Sequence, residues 1–153
     1  MLALKHGGRR DLADPLGRAL GERLLARGVG AGTPVVPVPL AWLRRHERGH
    51  DQALGIARGV AESIGAPVVR ALRRRRWTPP QGSAVAASRA ANVAGAFVAR
   101  RVVRRLSGLE VLLVDDVVTS GATLAECARV LRRAGVRRVR PAFVARAARI
   151  PAD

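Results

Sequence analysis

Two adjacent carboxylates, Asp115 and Asp116, follow the strongest strand signal of the chain. The stretch "LEVLLVDDVV" is almost wholly apolar before the acids, as expected for a strand that is buried on both faces of a parallel sheet. In open parallel sheets, ligands bind beyond the carboxyl ends of the strands. A strand over 110–114 would therefore bring both acids to a ligand-binding edge.

The residues after the acids have the composition of an anion-binding turn. They lead into a helix predicted over about 123–134, with Gly135 as its stop. A helix begins with unpaired N–H groups and the positive end of its dipole, which together attract phosphate. Gly121 lets the backbone curl around the anion, and nearby hydroxyls add donors. The predicted phosphate-binding loop consists of Val118, Thr119, Ser120, Gly121, Ala122 and Thr123.

Carboxylates beside this loop are poorly placed to bind phosphate but well placed to bind the sugar that carries it. They accept hydrogen bonds from vicinal hydroxyls and hold Mg²⁺ in their neighbourhood. The combination of Asp115, Asp116 and the loop therefore fits a ribose 5-phosphate. In the alternative interpretation, Asp115 caps a turn and residues 119–123 form a capping loop without a ligand.

The length and composition predict one soluble domain over residues 1–153. The chain of 153 residues is 48% hydrophobic, which is enough to fill a core of ordinary size. It has no apolar run of the roughly 20 residues that span a membrane and no signal-peptide pattern, so we expect a cytoplasmic protein without membrane insertion. The single cysteine, Cys127, excludes an internal disulfide and is predicted to be a small core residue.

Arginine dominates the charge of the chain. The 28 basic residues against 11 acidic ones give a net charge of +17, and Lys5 is the only lysine. Arginine stays protonated and binds phosphate through two donors, which favours polyanions or phosphorylated small molecules as partners. Scattered arginines are also typical of a solvated surface, and an aromatic content of 3% offers few faces for stacking single-stranded nucleic acid.

Helical and strand patterns alternate along the chain, which predicts an α/β fold with a mainly parallel sheet covered by helices on both faces. The first helix is expected to start with Asp14 as its cap and to end at Gly28, and the second to start near Asp51 and end at Gly65. Further strands are expected at 35–38 near a sheet edge, at 67–72, at 96–99 and in 136–145. Periodicity is lost over 73–95, which predicts a long loop or weak hairpin of the kind that often forms a functional lid.

The stretch "VLLVDDVVTSGAT" resembles the phosphoribosyl pyrophosphate (PRPP) signature of type I phosphoribosyltransferases, in which hydrophobic residues, two acids and further hydrophobic residues precede Thr-Ser/Thr-Gly-x-Thr. Three more stretches resemble the competence-associated ComF/GntX branch of these proteins: "LKHGGRRDLADPL", "VPVPLAWLRRHERGHDQA" and "TPPQGSAVAASRAANVAGAF". The resemblance covers nearly the entire chain. It implies the type I phosphoribosyltransferase fold with a flexible hood at about residues 73–96 that closes over PRPP, and a homodimer.

The resemblance also implies a role for each matching residue. Residues 119–123 would hold the 5-phosphate, the two acids would contact the ribose hydroxyls, and Mg²⁺ would bind near them together with PRPP. The pyrophosphate side would be formed by Arg44, Arg45 and Arg48. The polar residues of the hood would be Gln81, Arg89 and Asn92. The catalytic residues would be Asp115, Asp116 and Arg89.

Two functions stay open at this point. The first is Mg²⁺-dependent transfer of phosphoribosyl to an unidentified acceptor, linked to DNA uptake. The second is a non-catalytic PRPP sensor that binds single-stranded DNA and acts with a competence helicase. Two departures from the branch bear on this choice: the chain lacks the four cysteines of its N-terminal zinc ribbon, and the hood has Ser88 where an acid is usual. A lost acid weakens the case for catalysis more than the case for binding. The second function would use a basic surface made of Arg70, Arg73, Arg74, Arg75, Arg76, Arg100, Arg101, Arg104 and Arg105.

Overall fold

Helices and strands alternate along the residues that the computed structural model describes, which are 12–39, 51–75 and 93–147. In chain order they are helix α1 (Ala13–Ala26), strand β1 (Val35–Pro37), helix α2 (Gln52–Ser63), strands β2 (Leu72–Arg74) and β3 (Phe97–Ala99), a 3₁₀ helix (Arg101–Leu106), strand β4 (Glu110–Val118), helix α3 (Ala122–Arg133) and strand β5 (Arg138–Arg146). The alternation expected from the sequence is confirmed, and the 3₁₀ helix is an additional element.

Strands β1, β4 and β5 form a parallel sheet with β4 in the centre. Val35 of β1 pairs with Leu112, and Glu110 pairs with Arg138 of β5. The central position explains the composition of β4, because a central strand of a parallel sheet is covered on both faces. Residues 111–114 are accordingly fully buried.

The predicted strand over 67–72 is wrong in extent, because this segment forms a single parallel bridge, between Val68 and Val35. The Val35 N–H donates to the Pro67 oxygen at 2.9 Å. The next donor on that side of β1 would be residue 37, which is a proline without an N–H, so the ladder stops. Leu72 instead begins β2, which pairs with β3 in an antiparallel arrangement.

The pair β2–β3 joins the two ends of the segment that was expected to be a long loop or weak hairpin. Arg73 and Arg74 belong to β2, so the loop begins later than predicted. The Arg75 N–H then donates to the Ala96 oxygen at 2.8 Å. The ends of this segment are therefore held together by strand pairing, while residues 76–92, on which the choice between a long loop and a weak hairpin depends, lie outside the described part of the chain.

Two apolar cores lie on opposite faces of the parallel sheet. Val111 and Leu113 belong to the core shared with α3, whereas Leu112 and Val114 belong to the core shared with α2. Alternate residues of a strand face opposite sides, so β4 contributes to both cores. The predicted fold class, a mainly parallel sheet covered by helices on both faces, is confirmed. Cys127 is fully buried in the α3 core, as predicted, and burial raises the pKa of its thiol.

Helices α1 and α2 pack against each other through glycines. A Cβ atom at Gly17 would overlap the carbonyl oxygen of Ile56, and one at Gly59 would overlap the carbonyl oxygen of Asp14. The absence of side chains at these positions therefore lets the two helix backbones touch. The contact fixes α2, and with it the residue that precedes α2, against one face of the sheet.

The predicted N-cap is confirmed for α2 but is wrong for α1. Asp51 is the N-cap of α2, and its carboxylate accepts the Leu54 N–H at 3.2 Å. Asp14 is not the cap of α1, because the helix begins earlier and its N-cap is Leu12. A proline is tolerated anywhere in the first turn, where N–H groups have no helical partner, so Pro15 does not mark the first helical residue.

Within the described ranges, no helix combines the length and apolar character needed to cross a bilayer.

Candidate functional site

The acidic pair lies inside strand β4 and not after it, which corrects the predicted strand end at residue 114. Strand β5 pairs alongside and carries β4 on to Val118. On the other side, β1 ends where Pro37 pairs with Val114. Asp115 and Asp116 thus lie just past the end of β1, at the carboxyl edge of the sheet where ligands bind.

The backbone of β4 changes its pattern at the acids. Val114 packs with the α2 core, whereas Val118 packs with the α3 core, although residues four apart on a regular strand share a face. The register with β5 gives Asp116 no Cα partner, although the offset between the two strands is the same at Asp115 and at Val117. Instead, the Asp116 N–H donates to the Asp115 carboxylate (2.9 Å) and the Val117 N–H donates to the Asp116 carboxylate (2.7 Å). The acids therefore bond amides of their own strand at the point where its side-chain pattern changes.

A short turn over 119–121 joins β4 to α3. Gly121 has a φ of +79°, in the left-handed region that favours glycine. Its carbonyl oxygen accepts the Ala125 N–H at 2.9 Å, which is the first bond of the helix. The Ser120 hydroxyl oxygen accepts the Ala122 N–H at 3.4 Å. Helix α3 therefore begins at Ala122, one residue before the predicted start, and directs its N-terminus toward the end of β4.

A pocket that is open to solvent lies where β4, the turn and α3 meet, and its empty space is about 230 Å³ with the open solvent included. Its lining consists of Asp115, Val117, Val118, Thr119, Ser120, Gly121, Ala122, Thr123 and Leu124. The structure thus brings together all six residues of the predicted phosphate loop, and of the two acids it places Asp115 in the wall. Val117 and Leu124 were not among the predicted site residues, because an aliphatic side chain gives no chemical signal in a sequence.

The carboxyl group of Asp115 is strongly perturbed. Burial is the largest cause, followed by the charge of Asp116 and a smaller effect of the charge of Asp51, and together they raise the pKa of Asp115 from 3.8 to about 7. The contribution of Asp51 indicates that the start of α2 lies near Asp115. Sequence reasoning missed this neighbour, because only the packing of α2 against β4 brings the two segments together.

Among the residues that the structure describes, no three His, Cys, Asp or Glu side chains are grouped closely enough to hold a metal ion. Mg²⁺ usually keeps several waters and binds through one or two carboxylates plus substrate phosphates. Two adjacent carboxylates beside an anion pocket fit that mode, so Asp115 and Asp116 are the residues that would hold Mg²⁺ together with a phosphorylated ligand.

Six of the predicted site residues fall outside the described part of the chain, namely Arg44, Arg45, Arg48, Gln81, Arg89 and Asn92. The described residues next to them show where their segments join the fold. Asp51 follows the first segment directly and lies near Asp115. Arg75 and Val93 flank the second segment at the β2–β3 hairpin.

Comparison with known proteins adds independent information. Residues 19–150 match the family described as the phosphoribosyl transferase domain. The DNA utilization protein YhgH of Salmonella typhi is 36% identical over 138 residues, which cover 86% of this chain and 59% of that protein. Competence protein F of Haemophilus influenzae is 32% identical over 114 residues, which cover 74% of this chain and 50% of that protein. The chain therefore spans between 50% and 59% of the length of these two relatives.

Solved structures agree with this match at the level of the fold. The allosteric regulatory enzyme of purine biosynthesis superposes with a TM-score of 0.59 at 23% identity, over 88% of this chain and 26% of that chain. The glutamine PRPP amidotransferase from B. subtilis, complexed with ADP and GMP, gives the same values. The predicted type I phosphoribosyltransferase fold is thereby confirmed.

Proposed function

The chain belongs to the phosphoribosyl transferase domain family and is of the ComF type, and we propose that it binds PRPP with Mg²⁺ and transfers its phosphoribosyl group. The observation that carries this proposal is the pocket at the end of β4, in which the half-buried carboxyl group of Asp115 adjoins a glycine turn and a helix N-terminus. Such a pocket has separate places for a phosphate and for sugar hydroxyls.

The 5-phosphate of PRPP would lie at residues 119–123. The N–H groups of the first turn of α3 have no helical partner and carry the positive end of the dipole. Thr119 and Ser120 are exposed, so their hydroxyls can donate to phosphate oxygens. Asp115 adjoins this loop in the pocket wall, where its carboxylate can accept hydrogen bonds from the ribose hydroxyls.

In the proposed reaction, a lone pair of the acceptor forms a bond to the anomeric carbon while the bond from that carbon to the pyrophosphate oxygen breaks. Pyrophosphate leaves with the electron pair, and the acceptor loses a proton to solvent or to pyrophosphate. Mg²⁺ bound with PRPP would supply charge neutralisation for the departing pyrophosphate. Asp115 and Asp116 would orient the ribose and place negative charge near the cationic sugar of the transition state.

Calorimetric titration of PRPP with Mg²⁺ tests the binding part. The double variant Asp115→Asn/Asp116→Asn is compared with Asp14→Asn/Glu22→Gln, which removes two exposed acids from α1. We expect the wild type and the α1 variant to bind alike, and the site variant to bind about a hundredfold more weakly because each lost charge-assisted hydrogen bond costs about tenfold. Absence of binding by folded wild type, or equal binding by the site variant, would contradict the proposal. Release of pyrophosphate on adding candidate acceptors then separates transfer from binding alone.

A second candidate function, binding of single-stranded DNA, is favoured by the arrangement of arginines at the opposite end of the sheet. The Gly108 N–H donates to the Gly135 oxygen (2.8 Å) and the Arg137 N–H to the Leu109 oxygen (2.9 Å). These bonds join the end of the 3₁₀ helix to the turn after α3. The exposed arginines gathered there, which we call the arginine surface, are Arg101, Arg104, Arg105, Arg132, Arg133, Arg137 and Arg138. Between Glu62 and Asp115 the chain has a single acid, Glu110, which pairs with Arg138 and Arg140.

Salt-dependent binding of a fluorescent oligonucleotide tests this second function. Each phosphate neutralised on a single strand contributes a slope of about 0.7 in the logarithmic salt plot. The variant Arg101→Ala/Arg104→Ala/Arg105→Ala should therefore lower the slope by about two. Its control, Arg18→Ala/Arg23→Ala/Arg27→Ala, removes the same charge from α1 and should leave the slope nearly unchanged. Equal losses in both variants would mean that net charge alone attracts the DNA.

The names of the relatives, a DNA utilization protein and a competence protein, support the choice of DNA as the ligand. A helicase partner, a homodimer and a cytoplasmic location stay predictions.

A further inference from the structure

The side chain of Glu126 is held by more contacts than a helix-surface carboxylate normally makes. It lies on α3, one turn beyond the phosphate loop, and only 10% of its side chain is exposed. Arg129 donates to it from both Nε (2.7 Å) and Nη2 (2.6 Å). The Gly95 N–H donates to the same carboxylate at 2.8 Å. The pair with Arg129 is bidentate. It holds the Glu126 carboxylate in the orientation in which it accepts the Gly95 N–H.

Gly95 lies in the turn that leads into β3 and has a left-handed backbone conformation. It lies in the turn between residue 92, where the undescribed segment ends, and β3. Its φ of +71° is left-handed, and the Ala96 N–H closes the turn by donating to the Val93 oxygen at 3.0 Å. Residues 93–95 are therefore tied to α3 before the chain enters the β2–β3 hairpin.

The same helix forms the pocket at its N-terminus. Glu126 is three residues beyond Thr123, which lines the pocket, and residues three apart on a helix are neighbours on its surface. Phe97, two residues after Gly95, packs with Leu124 and Cys127 in the α3 core. Glu126 and Phe97 thus give this part of the chain one polar and one apolar attachment to α3.

We propose that Glu126, oriented by Arg129, is a positioning residue that sets where residues 93–95 stand relative to the phosphate pocket. This inference rests on the proposed PRPP site, because the residue three positions before Gly95 is Asn92, one of the polar residues expected to act on PRPP. The side chain of Glu126 bonds Gly95 and Arg129, neither of which lines the pocket that would bind ribose 5-phosphate. Its effect should therefore fall on PRPP and not on the smaller ligand.

Hydrogen exchange of the unliganded protein tests the attachment itself. Glu126→Ala is compared with Glu126→Gln, which keeps an oxygen acceptor, and with Glu62→Ala, which breaks the exposed ion pair to Arg18 at 2.9 Å between α1 and α2. We expect exchange over residues 93–97 to be about tenfold faster in Glu126→Ala, since a hydrogen bond to a charged group contributes on that order. Glu62→Ala should match the wild type, and Glu126→Gln should restore most of the protection. Unchanged exchange in Glu126→Ala, or no restoration by Gln, would overturn the attachment.

Paired titrations with PRPP and ribose 5-phosphate test the positioning role. Glu126→Ala should weaken PRPP about five- to tenfold while ribose 5-phosphate changes less than about twofold, because the loop over 119–123 stays in place. Equal weakening of both ligands, or of neither, would overturn the role and leave Glu126 as a structural residue of α3. If the wild type binds neither ligand, the proposed function fails together with this role, and the exchange measurement alone decides whether Glu126 holds Gly95.

Discussion

Asp115 carries a proton at a higher pH than an ordinary aspartate, and this has a consequence for folding. Its pKa rises from 3.8 to about 7, first through burial and then through the charge of Asp116. Between those two pH values the folded protein binds a proton that the unfolded chain has released. The free energy of unfolding therefore falls as the pH rises from about 4 to about 7, and the loss persists above pH 7. The acid is kept at a cost in stability, which is typical of functional sites.

The variant Asp115→Asn should remove this pH dependence. We expect the melting temperature of this variant, relative to that of the wild type, to be higher at about pH 8 than at about pH 5. The change in relative stability between the two pH values should be roughly 1–3 kcal/mol. Thermal unfolding at both pH values provides the measurement, with Asp14→Asn on α1 as the control for removing one negative charge. A difference between wild type and Asp115→Asn that stays constant with pH would contradict the raised pKa.

At the scale of the elements, the contact between α1 and α2 depends on two glycines that touch backbone and not side chains. A Cβ atom at Gly59 would lie 2.8 Å from the Arg18 nitrogen and 2.9 Å from the Gly17 Cα, besides overlapping the Asp14 oxygen. Backbone atoms of a helix cannot move aside singly, so the two helices would have to separate. Because α2 carries Asp51 toward the acidic pair, the spacing of these helices also matters for the site.

Gly59→Ala should therefore destabilise the protein by about 2–3 kcal/mol, in spite of the better helix propensity of alanine. Urea unfolding measures the change. The control is Gly30→Ala in the exposed turn after α1, where the nearest atom, the Thr33 hydroxyl, would lie at an ordinary 3.7 Å. Equal stability of the two variants would show that the helices adjust without cost.

The elements that the sequence predicted well are those in which one local pattern decides the structure. Strand β4, the turn at Gly121 and helix α3 follow from an apolar run, a glycine among hydroxyls and an amphipathic pattern, all contiguous in the chain. The strand expected over 67–72 was wrong because its length depends on the missing N–H of Pro37 in another strand. The exact end of β4 was also missed, since β5, not the sequence of β4, carries the pairing past the acids.

At the scale of the whole molecule, the fold places two charged features at opposite ends of the parallel sheet. The pocket lies at the carboxyl end of β4, and the arginine surface lies at the start of β4 and β5 and at the end of α3. Sequence reasoning listed Arg101, Arg104 and Arg105 but not Arg132 or Arg137, because only the bonds between residues 108–109 and 135–137 bring these segments together. The raised pKa of Asp115 was equally out of reach, since burial is a property of the assembled chain.

The pocket lining runs without interruption from residue 115 to residue 124 except for Asp116. A recognition element encoded by consecutive residues can be inherited as one piece, whatever happens to the rest of the gene. Under the proposed function, mutations in the β2–β3 hairpin would therefore change or abolish transfer while the binding of the sugar phosphate persists.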